Sequence, residues 1–85
     1  MPVEALKIDR SFISKIADEG DDKAIVAAII AMAHSLGLRV IAEGVETRSQ
    51  LDVLQALNCD EIQGFYFSKP VPSSEIPRLL EKSFL

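Results

Sequence analysis

Polar side chains stand at the ends of three short apolar runs, and they are of the types that perform acid–base and electrostatic chemistry. Lys7 and Asp9 close the first run. Glu43 follows the second run, and Gln63 lies in the third. A lysine supplies a fixed positive charge, and a carboxylate within hydrogen-bond reach can accept a proton from water. If the runs are parallel strands, these side chains meet at one rim.

Each of these positions also has a structural interpretation. Lys7 fits an ordinary strand-end lysine whose stem lies along apolar surface while its ammonium reaches water. Glu43 and Glu46 precede a predicted helix, where acidic groups interact favourably with the positive end of the helix dipole. Asp9 can cap the turn that follows it. The sequence pattern alone leaves both interpretations open.

The elements that must position these side chains alternate along the chain. Strands are predicted over residues 5–9, 38–42 and 60–64, and each is followed by a helical segment. A β-α-β-α-β-α order with short loops predicts an α/β fold with parallel strands covered by helices. Right-handed crossovers place the helices on one face if the strands curve as in a barrel. The fold prediction is therefore a segment of a (β/α)8 barrel.

The helices carry recognisable start and stop signals. The longest begins at Asp21 or Asp22 and ends at Gly37, and its apolar stripe is predicted at Ile25, Ile29, Met32 or Ala33, and Leu36. The second has capping-box spacing from Thr47, an apolar stripe at Leu51, Leu54 and Leu57, and a left-handed end at Asn58. A last helix is predicted from Pro72 through Leu80, with Pro77 in its first turn.

Charge and cysteine content exclude some classes of function. The net charge is −4 with no basic stripe, which argues against binding a nucleic-acid polymer. The single cysteine, Cys59, cannot form an internal disulfide, and this favours a reducing, cytoplasmic setting. We expect Cys59 to be an inert buried thiol and His34 to be structural, because neither has a partner at ligand spacing. The cluster Phe65-Tyr66-Phe67 is predicted to pack rather than to stack on bases.

Membrane contact is not expected for this segment. The start lacks the cationic head and long apolar run of a signal peptide, and the longest apolar run, residues 24–33, is shorter than the roughly 20 residues that span a bilayer. The sequence opens directly onto a strand, so we expect an imposed start inside a longer protein. This segment could then be the cytosolic part of a larger, membrane-anchored protein.

Three stretches together resemble one known family. They are Leu6-Lys7-Ile8-Asp9-Arg10-Ser11-Phe12, Val40-Ile41-Ala42-Glu43-Gly44-Val45-Glu46-Thr47 and Gln63-Gly64-Phe65-Tyr66-Phe67-Ser68-Lys69-Pro70. In this order, with Ala33-His34-Ser35-Leu36-Gly37-Leu38 between the first two, they resemble the last three β-α units of the EAL domain, the family of bacterial cyclic-di-GMP (c-di-GMP) phosphodiesterases. The letters Glu4-Ala5-Leu6 are not the motif that names the family. On this resemblance, residues 1–85 are interpreted as a single partial EAL domain.

The resemblance implies roles for individual residues. Lys7 matches the active-site lysine that helps to hold the attacking water, and Glu43 matches the glutamate assigned as general base or second-metal contact. Gln63 matches a residue that contacts the dinucleotide. Glu46 matches a supporting glutamate beside the site, and Asp9 is a secondary candidate there. The resemblance also implies that the main ligands of Mg²⁺ or Mn²⁺ lie in the preceding part of the domain, so we expect this segment to bind no metal.

The implied activity is metal-dependent hydrolysis of c-di-GMP to linear pGpG in bacterial signalling, and the isolated chain is expected to be inactive. An excised part of a barrel exposes two sheet edges, so we predict a homo-oligomer with the helix from Asp21 to Leu36 as an additional contact. The alternative is a non-catalytic module for dinucleotide binding, regulation or oligomerisation. A flavodoxin-like or receiver-like domain is disfavoured, because a glycine-rich phosphate loop and the acidic cluster of receivers are missing.

Overall fold

The structure is a computed structural model that describes residues 5–64 and 67–75. In this part of the chain, four strands form one mixed sheet. They lie side by side in chain order: β1 (Ala5–Ile8), β2 (Arg39–Val45), β3 (Glu61–Gly64) and β4 (Phe67–Pro72). β1 pairs with β2, and β2 with β3, in parallel. The predicted parallel arrangement of the first three strands is confirmed, and their carboxyl ends lie at one edge.

Helical segments follow the first two strands. They are α1 (Arg10–Ile13), α2 (Asp22–Ser35) and α3 (Arg48–Ala56), and a short 3₁₀ turn at Ser73–Glu75 comes after β4. Across the described ranges, no helix combines the length and apolar character needed to cross a bilayer. The last helix was predicted from Pro72 through Leu80. Pro72 instead ends β4 and a 3₁₀ turn follows it, and the rest of the predicted helix lies outside the described residues.

Local sequence signals explain where these helices begin. Asp9 caps α1, because its Oδ2 accepts a hydrogen bond from the Ser11 amide at 3.0 Å. At α3, Thr47 Oγ1 accepts from the Gln50 amide and Gln50 Oε1 accepts from the Thr47 amide, each at 3.1 Å, so the predicted capping box is confirmed. Asp21 occupies the cap position of α2, but its side chain makes no capping hydrogen bond.

The apolar core lies between one face of the sheet and the helices. Its members come from one face of the strands, from the inner faces of the helices and from two connecting segments: Ile8, Ile13, Ile16, Val26, Ile30, Ala33, Val40, Ala42, Val45, Leu51, Leu54, Cys59 and Ile62. This packing holds the three parallel strands in register and leaves their other face without helices in the described part of the chain.

The predicted apolar stripe of α2 was wrong in part: Ala33 is buried and Ile29 packs against the core, but Ile25, Met32 and Leu36 are exposed. The buried residues are Val26, Ile30 and Ala33, whereas Met32 and Leu36 are 58% and 69% exposed. Ala24 to Ala33 are all apolar, so helical periodicity could not select one face from the sequence. Packing against the sheet made that selection.

Strand β4 was not predicted, and it departs from an all-parallel arrangement. It pairs antiparallel with β3, with Ile62 opposite Val71. Pro70 and Pro72 argue against a strand in sequence-based reasoning, since proline lacks the N–H that a sheet ladder uses. An edge position tolerates them, because only one side of an edge strand is paired. The predicted packing of Phe65-Tyr66-Phe67 lies outside the described side chains.

Candidate active site

Side chains of the parallel strands alternate between the two faces of the sheet, and three candidate residues share one face. The core takes Ile8, Ala42 and Ile62, one from each strand. The residues adjacent to these in sequence lie on the face away from the helices: Lys7, Glu43 and Gln63. The structure thus brings the three predicted positions to the same surface, near the carboxyl ends of the strands.

Lys7 and Glu43 form an ion pair across β1 and β2. Lys7 Nζ lies 3.8 Å from Glu43 Oε2, and the two side chains are 64% and 34% exposed. Lys7 is opposite Ile41 in the strand register, so Glu43 reaches it from two residues further along. Exposed ion pairs contribute only about 0–1 kcal/mol to folding. Stability therefore does not account for this pair, and a chemical role remains open to it.

A β-bulge places Glu43. Ala42 pairs with Ile62 and Val45 pairs with Gly64, so two residues of β2 lie opposite the single residue Gln63 of β3. The second of the two, Gly44, has a φ of +76°, a left-handed conformation that only glycine adopts at little cost. Bulges of this kind redirect side chains and are common beside active sites. Gln63 is half-buried opposite the bulge.

The bulge is packed tightly on both sides. A Cβ built on Gly44 would lie 2.7 Å from Cβ and Cγ of Arg10. A Cβ built on Gly64 would lie 2.5 Å from the carbonyl oxygen of Val45. Sequence reasoning did not single out Arg10. Gly44 at the end of a predicted strand is typical of a bulge. The sequence does not show, however, that Arg10 packs on Gly44.

Asp9 is used by α1 rather than by the shared face. Hydrogen bonds from the Ser11 backbone and side chain lower the pKa of Asp9, with a smaller contribution from the charge of Arg10, against a small opposing effect of desolvation. The carboxylate is the α1 cap described above. The structure thus supports the capping interpretation that the sequence left open.

Glu46 is exposed and lies at the start of α3. Its amide donates to Gln50 Oε1 at 2.7 Å, so its backbone belongs to the capping arrangement of that helix. The structure thus gives Glu46 a definite structural contact. A contact with a dinucleotide remains a prediction for its side chain.

His34 and Cys59 lie at the opposite end of the strands. His34 Nε2 is 2.6 Å from Asp60 Oδ2, and that oxygen also accepts the Val40 amide at 2.8 Å. Cys59 is buried, and desolvation raises its pKa to about 11, so it stays a protonated thiol at neutral pH. Both residues have the structural character predicted for them.

Comparison with known families decides the identity of the fold. The family model described as EAL domain matches residues 1–70. The chain belongs to the EAL domain family. Its parallel strands are thus part of the TIM-barrel-type fold seen in solved EAL structures.

Relatives of this EAL chain include c-di-GMP phosphodiesterases. It is 45% identical over 76 residues to the bifunctional diguanylate cyclase/cyclic di-GMP phosphodiesterase MucR of Pseudomonas aeruginosa. This alignment covers 89% of this chain and 11% of MucR. It is 48% identical over 80 residues to the cyclic di-GMP phosphodiesterase NbdA of the same species, covering 94% of this chain and 10% of NbdA. The solved PaMucR phosphodiesterase in complex with c-di-GMP superposes with a TM-score of 0.73 at 45% identity, covering 89% of this chain and 31% of that one. The EAL chain therefore spans about a tenth of the length of these curated relatives.

EAL domains are generally metal-dependent. Within residues 5–64 and 67–75, no group of three or more His, Cys, Asp or Glu side chains converges where an ion could be held. Glu43 offers one carboxylate, and the ammonium of Lys7 lies beside it. Mg²⁺ and Mn²⁺ take several oxygen ligands, so the described residues do not by themselves fit either ion.

Proposed function

We propose that this chain supplies Lys7 and Glu43 to the active site of a c-di-GMP phosphodiesterase. The observation that supports it most directly is the Lys7–Glu43 pair, 3.8 Å apart on the helix-free face at the carboxyl ends of parallel strands. In barrels of this type the chemistry takes place at that end of the strands. The named activities of MucR and NbdA supply the reaction class, which is hydrolysis of a cyclic dinucleotide.

The proposed roles follow from the chemistry of each side chain. The carboxylate of Glu43 accepts a proton from the attacking water, for which it must come within hydrogen-bond reach. The ammonium of Lys7 holds that water and offsets negative charge that develops on the phosphate. Gln63 contacts the dinucleotide from the adjacent strand, and Glu46 supports the site from its margin. Asp9 contributes only indirectly, through the cap of α1. The product is linear pGpG.

The remainder of the site belongs to residues that this chain does not contain. We infer that Mg²⁺ or Mn²⁺ in a complete domain is held mainly by those residues, with Glu43 as one additional oxygen ligand. We also infer a cytoplasmic location, which the single buried thiol and the signalling relatives support.

The test is a graft into a complete domain. The segment of the MucR phosphodiesterase domain that aligns with this chain is replaced by the chain, and hydrolysis of c-di-GMP to pGpG is measured. We expect activity in the graft. Glu43→Gln should lower kcat about 10²- to 10⁴-fold, the usual contribution of a general base. Lys7→Ala should lower it about 10²- to 10³-fold, as loss of one electrostatic donor does.

A matched control removes an ion pair elsewhere. Arg48 Nε lies 3.3 Å from Asp52 Oδ1 on the exposed face of α3, and Asp52→Asn should leave kcat within about twofold of the unmodified graft. Full activity in the Glu43→Gln graft would refute the proposed role of the Lys7–Glu43 pair.

A second candidate applies to the isolated chain. It has Lys7 and Gln63 on one accessible face but no described metal-binding cluster, which favours binding of c-di-GMP without cleavage. Calorimetric titration of the isolated chain with c-di-GMP, followed by analysis of the nucleotide, tests this. Weak binding with intact ligand supports the binding module, and pGpG would show that the chain is catalytic alone.

We also propose that the isolated chain forms homo-oligomers. β1 is an edge of the sheet in the described part, and Met32 in α2 and Leu36 at its C-cap are exposed to solvent. Unpaired strand edges and exposed apolar side chains both favour association.

A further inference from the structure

The bulge beside Glu43 is supported by a residue that the catalytic proposal does not use. Arg10 is the first residue of α1, directly after the cap residue Asp9. Its stem occupies the space where a side chain on Gly44 would stand, since a Cβ there would lie 2.7 Å from Arg10 Cγ and 3.2 Å from Arg10 Nε. Arg10 therefore covers the residue that follows Glu43.

The other side of the same segment is closed by β3. A Cβ on Gly64 would lie 2.6 Å from the amide nitrogen of Val45, so the backbones of β2 and β3 approach closely there. β2 lies between β1 and β3 in the sheet, so Gly44 and Val45 are confined between the start of α1 and β3. Confinement of this kind favours one backbone path for the bulge.

The path of the bulge decides where Glu43 points. Glu43 is itself one of the two bulge residues opposite Gln63, and a bulge redirects the side chains that it carries. In the observed register, Glu43 lies on the face of Lys7, with 3.8 Å between Nζ and Oε2. Loss of the cover on Gly44 would allow the extra residue of the bulge to move, and the carboxylate would leave Lys7.

We propose that Arg10 is a positioning residue for Glu43, acting through the packing of its stem on Gly44. The proposal rests on the proposed function for its catalytic consequence. The two nearest atoms are Cβ and Cγ, each at 2.7 Å, and Nε lies further away at 3.2 Å, so we assign the effect to the stem rather than to the charge of Arg10. A methionine at this position keeps those atoms, whereas an alanine loses all but Cβ.

The kinetic test uses the same graft into the MucR domain. Arg10→Ala should lower kcat about tenfold to a hundredfold, since a displacement of about 1 Å costs that much, with KM for c-di-GMP changed less than about threefold. Arg10→Met should recover most of the loss. Lys15→Ala, which removes an exposed cation after α1, should leave both parameters unchanged within about twofold.

The outcomes separate the two proposals. If Glu43→Gln abolishes activity while Arg10→Ala keeps full kcat, the positioning role is wrong and the proposed function stands. If Arg10→Met is as slow as Arg10→Ala, the charge matters and the packing argument fails. If Glu43→Gln keeps full activity, the proposed function fails. The packing of Arg10 on Gly44 is then tested by the Tm measurements on the isolated chain.

A matched pair of glycines tests the packing in the isolated chain. Gly37 and Gly44 both have a φ of +76°, but a Cβ on Gly37 would meet nothing within 4 Å. Gly37→Ala should lower Tm by about 4–8 °C through backbone strain alone. Gly44→Ala should lower Tm by at least twice as much, and Arg10→Gly should remove that excess. Equal Tm losses for the two alanine variants would overturn the proposal.

Discussion

At the scale of single residues, the site depends on where two charged groups stand. A common rim for Lys7 and Glu43 was predictable, because parallel strands bring their carboxyl ends to one side of the sheet and both residues close predicted apolar runs. Their ion pair is a finding of the structure. The contact of Arg10 with Gly44 was not predictable. It requires the bulge in β2 and a positive φ, and both are set by pairing with β3, which is distant in sequence.

Asp9 makes a prediction about acid stability. Folding lowers its pKa below the ordinary value of 3.8, because the charged carboxylate accepts hydrogen bonds from Ser11. A group whose pKa is lowered on folding stabilises the fold above its unfolded pKa, and this contribution disappears as pH falls through the folded value. Asp9→Asn should therefore unfold at lower denaturant concentration than the unmodified chain near pH 6, and the difference should vanish between about pH 5 and pH 2.

The measurement is denaturant unfolding followed by circular dichroism across that pH range. Asp18→Asn serves as the control, since Asp18 is exposed in the loop before α2. A gap between Asp9→Asn and the unmodified chain that stays constant down to pH 2 would contradict the assignment of Asp9 as a charged cap.

At the scale of elements, short-range signals were the reliable ones. The capping box of Thr47 and Gln50 was correct because it involves residues three apart. Gly37 and Asn58 have φ values of 76° and 64°, so both predicted left-handed helix ends are confirmed. The buried face of α2 could not be chosen from an unbroken apolar run, and β4 was hidden by its prolines. Both of those features depend on tertiary pairing.

Asp60 joins three elements and makes an element-scale prediction. Its Oδ2 accepts the Val40 amide of β2 and lies 2.6 Å from His34 Nε2 in α2, while its own backbone leads into β3. Asp60→Ala removes both contacts and should cost about 1–3 kcal/mol of unfolding free energy. His34→Ala removes one contact and should cost less than Asp60→Ala.

The measurement is urea unfolding of the two single variants and the double variant at pH 7. Additive effects of the two substitutions would show that His34 and Asp60 do not interact, because residues in contact give a coupling energy in such a cycle. The amide of Val40 explains why the aspartate variant must be the more severe.

At the scale of the whole molecule, the exposed apolar residues at the C-terminal end of α2, Met32 and Leu36, predict self-association. We expect the isolated chain to run as a dimer or larger species in size-exclusion chromatography with light scattering. Met32→Glu combined with Leu36→Glu should shift it towards the monomer, because charge replaces the two most exposed large apolar side chains described. Ser49→Glu, which adds charge to the exposed face of α3, should leave the mass unchanged. A strictly monomeric unmodified chain would refute the oligomer proposal.

The two edges of the sheet differ in their capacity to accept another strand. Ser73 donates its backbone N–H to the carbonyl oxygen of Asp60, so this N–H points towards β3. The backbone nitrogen of the preceding residue, Pro72, points to the outer side of β4, and it carries no hydrogen to donate. Within residues 5–64 and 67–75, only β1 offers an edge free of proline. Two copies that paired β1 with β1 would be related by a two-fold axis, and the proline-free edge of each copy would then be occupied. Strand addition would then stop at the dimer, and fibril growth along this sheet would be blocked.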